Sequence, residues 1–531
     1  MKNYTLPYKE TGYFSETVCD YLSQAKEIRS FYGNFPDLEG FEKQIKLKQL
    51  SFEAPSRNLL VEVLKTQYQN IKISKKTSQN IQSLLEDNTF TITTGHQLNL
   101  FTGPLYFLYK IFSAINLCEK LKKEFPKSNF VPIYWMATED HDFEEINFFN
   151  FNQKKIVWNR NSKSAVGRLS TTGLSQIYDL FAKELGRSKN AEYLANLFNE
   201  SYLQHDNLAE ATRYLANELF SQYGLVIIDG DNKILKEQFI PHIENELIDQ
   251  TCFNNVSSTV KDFGKNYKIQ VNPREINLFY LTDNIRERII LKKGVYSTVN
   301  NEFSWRNKEE ILKHLQEMPE RFSPNVIMRP LYEEVILPNL CYIGGGGELA
   351  YWLELKSYFD IEKVTFPILL LRNSALILTK TQKRKLTKLN ISLTEIFLKQ
   401  QDLINKKIKE VSDVKIDFSE QRQFLEKQFV ELEELAKLTD KSFIGAVKAQ
   451  QSKQLKGLDK LEKRLLKAQK RKLSSLVERI TELQNELFPN QSLEERTRNF
   501  SELYVNHGKE FIEKLKSNLD PLGEEFQIVQ L

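Results

Sequence analysis

The fold is decided by two short runs of β-branched and aromatic residues, TFTITTG at residues 89–95 and FVPIYWM at residues 130–136. Runs of this length and composition predict buried β-strands. Between them, residues 105–125 show helical periodicity, which ends before Pro126. A strand, a helix and a second strand in this order predict a βαβ unit, and its ligand site should lie beyond the carboxyl ends of the strands.

Two further apolar runs extend the predicted sheet. GLVIIDG at residues 224–230 stops at an Asp-Gly turn, and FPILLL at residues 366–371 precedes an arginine. Upstream, residues 1–88 place apolar side chains at helical spacing. The sequence therefore predicts an α/β fold built on a parallel sheet.

Two insertions interrupt the predicted core. KIVW at residues 155–158 and AVGRL at residues 165–169 are typical of a hairpin, with helices continuing to about residue 222. Residues 267–300 alternate like a small antiparallel sheet, and a helix is predicted from Lys308 to Glu317. We expect a core over residues 1–375, with insertions at about 150–222 and 267–322.

The composition changes from about residue 376, where glycine and proline nearly vanish and Lys, Glu, Gln and Leu dominate. The 4-3-4 spacing of a coiled-coil seam is followed by Leu425, Phe429, Leu432 and Ala436 and again by Leu476, Ile480, Leu483 and Leu487. This pattern predicts an antiparallel helical hairpin or coiled coil over residues 376–488. Residues 489–531 regain aromatic side chains, and we expect this segment to return to the core.

The net charge, the cysteine positions and the hydropathy of the chain argue against several classes of protein. The net charge of +4 is small for 531 residues and does not by itself indicate a nucleic-acid binder. The basic face of residues 453–472 could meet RNA or a nucleotide's phosphates, but such a face is usually a solvated coiled-coil surface, and we favour that interpretation. The four cysteines lie far apart without ligand spacing, as in a reducing cytosol. No secretory signal or membrane-spanning run is found, so we expect a cytoplasmic location.

The first candidate site is TGHQLNLFTGPLY at residues 94–106, which follows a strand and leads into a helix. Backbone amides at a helix start attract a carboxylate or phosphate, and glycines permit close approach. The alternative is a capped turn without a ligand. The candidate substrate-binding residues are Gly95, His96, Gln97, Asn99, Thr102, Gly103 and Tyr106.

The second candidate site is the acidic segment, TEDHDFEE at residues 138–145, which follows the second strand. Carboxylates and an imidazole at a strand end could bind an ammonium group, act as a base or hold a metal. A solvated acidic helix start is the alternative, and metal binding is the weakest option because no ligand spacing is matched. We favour amine binding or base catalysis by Glu139, Asp140, His141 and Asp142.

The third candidate site is the glycine turn, LCYIGGGGELAYW at residues 340–352. Four glycines before a helix could cradle an anion, although the Lys-Ser/Thr that ends a P-loop is missing. We favour this function over a plain turn, and we interpret Cys341 as a small buried hydrophobic residue. The candidate residues are Gly344, Gly345, Gly346, Gly347, Glu348, Tyr351, Trp352 and, upstream, Arg329, with Glu333 and Glu334 nearby.

Taken together, these segments resemble the bacillithiol biosynthesis cysteine-adding enzyme family, the cysteine ligases. The matching stretches are TGHQLNLFTGPLYFLYK (94–110), VPIYWMATEDHDFEEIN (131–147), SPNVIMRPLYEEVILP (323–338) and GGGGELAYW (344–352). The chain departs from the family by having His96 where glutamine is common and Gly346 where proline is frequent. It also lacks an HxGH signature.

The resemblance implies a Rossmann-like core related to class I nucleotidyltransferases, with inserted connecting subdomains and a coiled coil that forms a homodimer. It implies a ligase that joins the carboxylate of cysteine to the amine of glucosaminyl malate, the last step of bacillithiol biosynthesis. The cofactor stays open, with a nucleotide (ATP or ADP) as a candidate, and no metal is expected. The alternative is a catalytically inactive synthetase-like protein that binds RNA through the basic coiled coil.

On this interpretation, each candidate site has a role. The acidic segment holds and deprotonates the amine, and the amides near Gly95 to Thr102 bind a carboxylate or phosphate. The glycine turn and Arg329 stabilise developing negative charge. Tyr351 and Trp352 either pack against the sugar or form a wall of the pocket.

Overall fold

The computed structural model describes residues 4–160, 162–439 and 441–531, and these form two compact units. One unit contains residues 4–9, 13–377 and 494–531, and the other contains residues 10–12 and 378–493. The strands, β1 to β15 in chain order, are Tyr4–Pro7, Thr89–His96, Asn129–Met136, Phe148–Phe151, Lys154–Val157, Val226–Asp229, Leu278–Leu281, Arg286–Lys292, Val295–Thr298, Ser304–Trp305, Phe322–Pro324, Asn339–Gly344, Ile368–Leu371, Ala375–Leu378 and Glu525–Gln530.

The α-helices are numbered in the same way, and most of them match the helical periodicity of the sequence. In chain order, α1 to α24 are Tyr8–Thr11, Glu16–Leu22, Leu38–Ser51, Ala54–Gln67, Lys75–Ser83, Tyr106–Glu124, Phe143–Ile146, Leu174–Leu185, Lys189–Tyr202, Leu208–Phe220, Lys233–Glu237, Ile240–Asp249, Thr251–Phe263, Lys308–Glu317, Arg329–Ile336, Gly346–Leu353, Lys356–Ile361, Lys380–Lys388, Gln400–Val411, Ser419–Lys437, Lys441–Lys472, Ser474–Leu487, Phe500–His507 and Lys509–Asn518.

The centre of the first unit is a five-stranded parallel sheet in the order β13-β12-β2-β3-β6. Its strands are apolar on both faces because helices cover both sides. Phe90 and Ile92 of β2 pack with Leu340 and Ile343 of β12 in one buried cluster. The predicted parallel sheet is therefore confirmed. Strand β12 was not predicted, because its residues were interpreted only as the approach to the glycine turn.

The strand order contains a reversal that positions the ligand site. From β2 the chain runs outward through β3 to β6, and it then returns to the other side of β2 to form β12 and β13. Connections after β2 and β12 therefore diverge, which leaves a crevice at the carboxyl ends of these two strands. The first candidate segment follows β2, the acidic segment follows β3 and the glycine turn follows β12.

The predicted hairpin in the first insertion is wrong in its pairing. Strand β5 pairs with the preceding β4, because Asn152 and Gln153 both adopt positive φ and make a two-residue turn. Residues Val166–Arg168 form a 3₁₀ turn instead of a strand, and they lie against the acidic segment. The amide of Gly167 donates to the carbonyl of Thr138 at 2.8 Å, and a Cβ on Gly167 would lie 2.6 Å from Thr138.

The second insertion contains the predicted antiparallel sheet, in the order β10-β9-β8-β7-β11. The predicted helix over Lys308–Glu317 is confirmed as α14. The C-terminal segment contributes β15, which pairs antiparallel with β1. Its Glu495 accepts a hydrogen bond from Arg372, which follows β13, at 2.7 Å.

The second unit is helical, with α20 and α21 as its longest helices. Phe429 and Ala436 of the predicted seam are buried against Val447, whereas Leu432 of the same seam is 43% exposed. In the other predicted seam, in α22, Ile480, Leu483 and Leu487 have no exposed surface, whereas Leu476 is partly exposed. No helix within the described residues has the length and apolarity needed to cross a membrane.

Candidate active site

One cavity of about 1050 Å³ receives all three candidate segments. It lies where β2, β3 and β12 end, as the reversal in strand order requires. The predicted residues that line it are Gly95, His96, Gln97, Tyr106, Asp140, His141, Asp142, Arg329, Gly345, Gly346, Gly347, Glu348, Tyr351 and Trp352.

Five predicted site residues lie outside this lining. Glu139 is buried in an ion pair, Gly344 is the last residue of β12, and Gly103 packs against Asn99. Asn99 and Thr102 instead line a separate cavity of about 10 Å³, which has room for about one water molecule. A direct role in binding substrate does not fit these five positions.

The expectation that the first segment offers free helix-start amides is wrong. Helix α6 begins only at Tyr106, and Phe101, Thr102 and Gly103 before it all have positive φ. The amide of Phe101 donates to the Tyr202 hydroxyl at 2.8 Å, and the amide of Gly103 donates to the carbonyl of Leu100 at 3.0 Å. Because these two amides already donate hydrogen bonds within the protein, the segment contributes side chains to the cavity instead of free backbone amides.

His96 and Gln97 are the side chains that matter here. Burial, reinforced by the Lys110 ammonium, lowers the pKa of His96 well below its ordinary value, so its ring is neutral. Gln97 donates from Nε2 to both Asp140 and Glu145 at 3.0 Å. Gln97 therefore holds the acidic segment next to the carboxyl end of β2.

Asp140 is held as a carboxylate. Burial would raise its pKa, but the Arg329 guanidinium, the hydrogen bond from Gln97 and the charge of Arg286 together keep that pKa below its ordinary value. Its Oδ1 also accepts a hydrogen bond from the amide of His141 at 2.8 Å. Asp140 is thus a fixed negative charge on the cavity wall.

A buried ion network supports the acidic segment from below. Lys236 of α11 lies 2.5 Å from Glu139 and 3.5 Å from Asp231, and its side chain is 1% exposed. Arg168 pairs with the same Asp231 at 2.7 Å. Because two carboxylates share these two cations, the network fixes the loop that carries Asp140.

His141 and Asp142 form the outer part of the acidic segment, with side chains 37% and 56% exposed. Arg286 donates to His141 Nδ1 at 2.8 Å, which leaves Nε2 as the protonated ring nitrogen. Ligand atoms of Asp140, His141 and Asp142 lie within 4.8 Å of one another. Because Arg286 occupies the lone pair of His141 Nδ1, this nitrogen is not free to bind a metal ion, whereas the carboxylates of Asp140 and Asp142 can accept hydrogen bonds from an ammonium group.

The glycine turn leads directly into α16. Gly345 is the residue before the helix, and Glu348 reaches back to accept its amide hydrogen at 2.8 Å. The same Glu348 pairs with buried Lys110 at 2.5 Å. A Cβ on Gly347 would meet no atom within 4 Å, so the first turn of the helix is open to an approaching anion.

Arginines are the functional candidates that the sequence analysis missed. In addition to Arg329, the cavity is lined by Arg274, Arg286, Arg288, Arg372 and Arg496. Arg286 and Arg288 lie two residues apart on β8, so both side chains point to one face. That alternation was visible in the sequence RERII, but nothing in it identified the face that meets the cavity.

These features define a Rossmann-like α/β protein with a charged ligand cavity at the ends of its parallel strands and an additional helical unit. The family described as "Bacillithiol biosynthesis BshC, N-terminal Rossmann-like domain" matches residues 1–373, and the corresponding "C-terminal coiled-coil domain" matches residues 375–531. The chain belongs to this family, and the predicted family, Rossmann-like core and coiled coil are confirmed.

Full-length relatives agree with this assignment. A protein from Christiangramia forsetii named "Putative cysteine ligase BshC" is 58% identical over 529 residues, which cover 99% of this chain and 98% of that protein. Proteins of the same name from Flavobacterium psychrophilum and Cytophaga hutchinsonii are 58% and 38% identical. Their alignments cover 99% and 97% of this chain and 99% and 96% of the relatives.

Proposed function

We propose that this protein is a cytoplasmic ligase that forms an amide bond between the carboxyl group of cysteine and the amine of glucosaminyl malate, the last step of bacillithiol biosynthesis. The observation that carries the proposal is the single cavity in which the acidic segment faces a glycine turn and several arginines. The family membership and the names of the relatives support it. No comparison supports the alternative of RNA binding.

The charges of the cavity fit the two reactants. Glucosaminyl malate carries one amine and two carboxylates, and the amine belongs at the ionised Asp140 with Asp142 beside it. Arg274, Arg286 and Arg288 supply cations for the malate carboxylates. Glu139 supports this arrangement from below through Lys236 and does not contact the substrate.

The reaction needs an activated carboxyl group, because amide formation from a free carboxylate is uphill in water. We propose a mixed anhydride of cysteine with a phosphate group, made from a nucleotide such as ATP. A carboxylate oxygen of cysteine attacks a phosphorus atom of the nucleotide, the oxygen–phosphorus bond forms, and the bond from that phosphorus to its bridging oxygen breaks, which releases ADP or pyrophosphate. The amine nitrogen attacks the acyl carbon, a nitrogen–carbon bond forms, the carbon–oxygen bond to phosphate breaks, and the acidic segment takes the nitrogen's proton. The amides of Gly346 and Gly347, with Arg329 and Arg372, stabilise the negative charge on the departing oxygens.

We also propose that the protein is a homodimer formed through α20 and α21. Large apolar side chains on these helices stay exposed in the single chain, including Leu432 at 43%, Leu435 at 59% and Phe424 at 66%. Leu432→Glu combined with Leu435→Glu should give a monomeric mass by light scattering, while Leu50→Glu in α3, which is also at an exposed leucine, should not. A wild-type protein of monomeric mass would refute the dimer.

The function is tested by complementation of a bacillithiol-producing strain that lacks its own gene. The wild-type chain should restore bacillithiol, and Asp140→Ala should leave glucosaminyl malate to accumulate, with product lowered about 10²-fold or more. Asp262→Ala is the control, because Asp262 is exposed, pairs with the exposed Lys265 and lies outside the cavity. Failure of the wild-type chain to restore bacillithiol would refute the function, and full activity of a folded Asp140→Ala protein would refute the role of Asp140.

A further inference from the structure

Glu333 is a buried carboxyl group that faces the cavity with no partner of its own. It lies on α15, one turn after Arg329, and it is 3% exposed. It lines the same cavity as Asp140 and the glycine turn. Within the described part of the chain, its Oε1 has no hydrogen-bond partner and its carboxyl group has no cation within ion-pair distance.

The neighbouring buried carboxyl groups are all paired. Glu334, the next residue, lies 2.8 Å from Lys48 and accepts a hydrogen bond from Asn339. Glu348 lies 2.5 Å from Lys110. Burial of an ionised carboxylate without such partners is strongly unfavourable. The protonated form of Glu333 is therefore favoured, and no ion pair among the residues that the structure describes accounts for a glutamate at this position.

We propose that Glu333 binds substrate as a neutral carboxylic acid, donating its O–H to an anionic oxygen held at Arg329. The proposal rests on the proposed function and adds to it a residue that recognises one of the anionic groups, either a malate carboxylate or the activating phosphate. Only the neutral form can do this, because an ionised Glu333 would repel the same oxygen.

The electrostatic surroundings support the neutral form. Burial raises the pKa of Glu333 well above its ordinary value, and Glu334 beside it and Glu348 on α16 raise it further. Arg329 and Lys110 act in the opposite direction without cancelling the shift. Tyr342 and Tyr351, which also face this carboxyl group, have raised pKa values and are neutral.

A pH dependence of binding follows. Because the O–H is lost as the pH rises through the pKa of Glu333, the wild-type protein should bind the anionic ligand progressively more weakly in alkaline solution. Glu333→Gln replaces the O–H by an N–H donor that does not ionise over this range. The variant should therefore bind about as tightly as the wild type at pH 7 and keep that affinity at higher pH.

The experiment is calorimetric titration of glucosaminyl malate and, separately, of ATP into the wild type, Glu333→Gln and Glu333→Ala between pH 6 and 9.5. Glu333→Ala should weaken binding of one of the two ligands about tenfold or more at neutral pH, and this difference from the wild type should shrink in alkaline solution, where the wild type loses the O–H. The ligand that is affected identifies the anion. Glu334→Gln is the matched control, since its side chain points to Lys48 and not into the cavity. It keeps the Glu333 O–H but removes the neighbouring charge that raises the pKa of Glu333, so its binding should weaken with rising pH as in the wild type, beginning at a lower pH.

Infrared difference spectra of wild type minus Glu333→Gln at pH 7 give a readout that needs no ligand. A carbonyl band of a protonated carboxyl group is expected. A carboxylate band instead, or binding that weakens tenfold in Glu333→Gln at pH 7, would overturn this inference alone. A wild-type protein that binds neither compound would overturn both this inference and the proposed function.

Discussion

Asp140 and Glu333 face the same cavity with opposite electrostatic surroundings. Asp140 accepts hydrogen bonds from Gln97 and the His141 amide, and its pKa lies below the ordinary value. Glu333 accepts none at Oε1, stands beside Glu334, and has a strongly raised pKa. The charge of Arg329 lowers the pKa of both carboxyl groups.

The difference shows that burial alone does not set the charge of a carboxyl group. Burial raises the pKa of both groups. Around Asp140, however, the neighbouring hydrogen-bond donors and arginines lower the pKa by more than burial raises it. On the roles proposed above, one cavity thereby offers a fixed anion to an ammonium group and a neutral acid to an oxyanion. A ligase that must hold an amine and a carboxylate together needs this combination.

The largest expected effect on stability comes from removing Lys236, the buried cation that supports the acidic segment. Lys236→Met leaves Glu139 and Asp231 without their shared cation and should lower the free energy of unfolding by about 3–5 kcal/mol. Urea denaturation measures this change. Lys233→Met, at an exposed lysine of the same helix, is the control and should change stability little. Equal urea midpoints for both variants would show that the network does not support the segment.

The contrast between the two carboxyl groups can be measured directly as stability against pH. Asp140→Asn should be less stable than the wild type at neutral pH, and the difference should vanish as the pH falls below 3.8, where the lowered pKa lies. Glu333→Gln should be more stable than the wild type at neutral pH and equal to it below about 4.5, because a raised pKa costs stability above the ordinary value.

Each unit of pKa difference corresponds to about 1.4 kcal/mol in this comparison. Thermal unfolding of both variants and the wild type between pH 3 and 8 provides the measurement. Changes of the same sign in the two variants at neutral pH would remove the contrast on which the proposed roles of Asp140 and Glu333 depend.

Much of this arrangement follows from local sequence. TFTITTG and FVPIYWM predicted β2 and β3, and the position of strand ends in a parallel sheet explains why the acidic segment and the glycine turn meet. The partners of individual charges could not be predicted in this way. Lys236 lies 97 residues from Glu139, and only the packing of α11 beneath the loop brings the two together.

The same limit applies to the arginines and to Glu333. The spacing of Arg286 and Arg288 predicts a shared face of β8, but the orientation of the inserted sheet decides that this face meets the cavity. Glu333 and Glu334 are adjacent and chemically identical. Their difference arises because the helix turns one toward Lys48 and the other toward the cavity.

A substitution in the glycine turn should have the smallest effect on stability, and it tests whether a phosphate of ATP binds at this turn. Gly347 has no positive φ, and an added Cβ meets no atom within 4 Å, so Gly347→Ala should raise the free energy of unfolding by about 0.4–1 kcal/mol. The methyl group would occupy the path of a phosphate to the helix start, so ATP should bind more weakly although the protein is more stable. Gly445→Ala in α21 is the matched control, because its Cβ is equally unobstructed and it should add stability without changing ATP affinity. If Gly347→Ala binds ATP as tightly as the wild type, the phosphate does not rest on this turn, and the arginines alone must hold it.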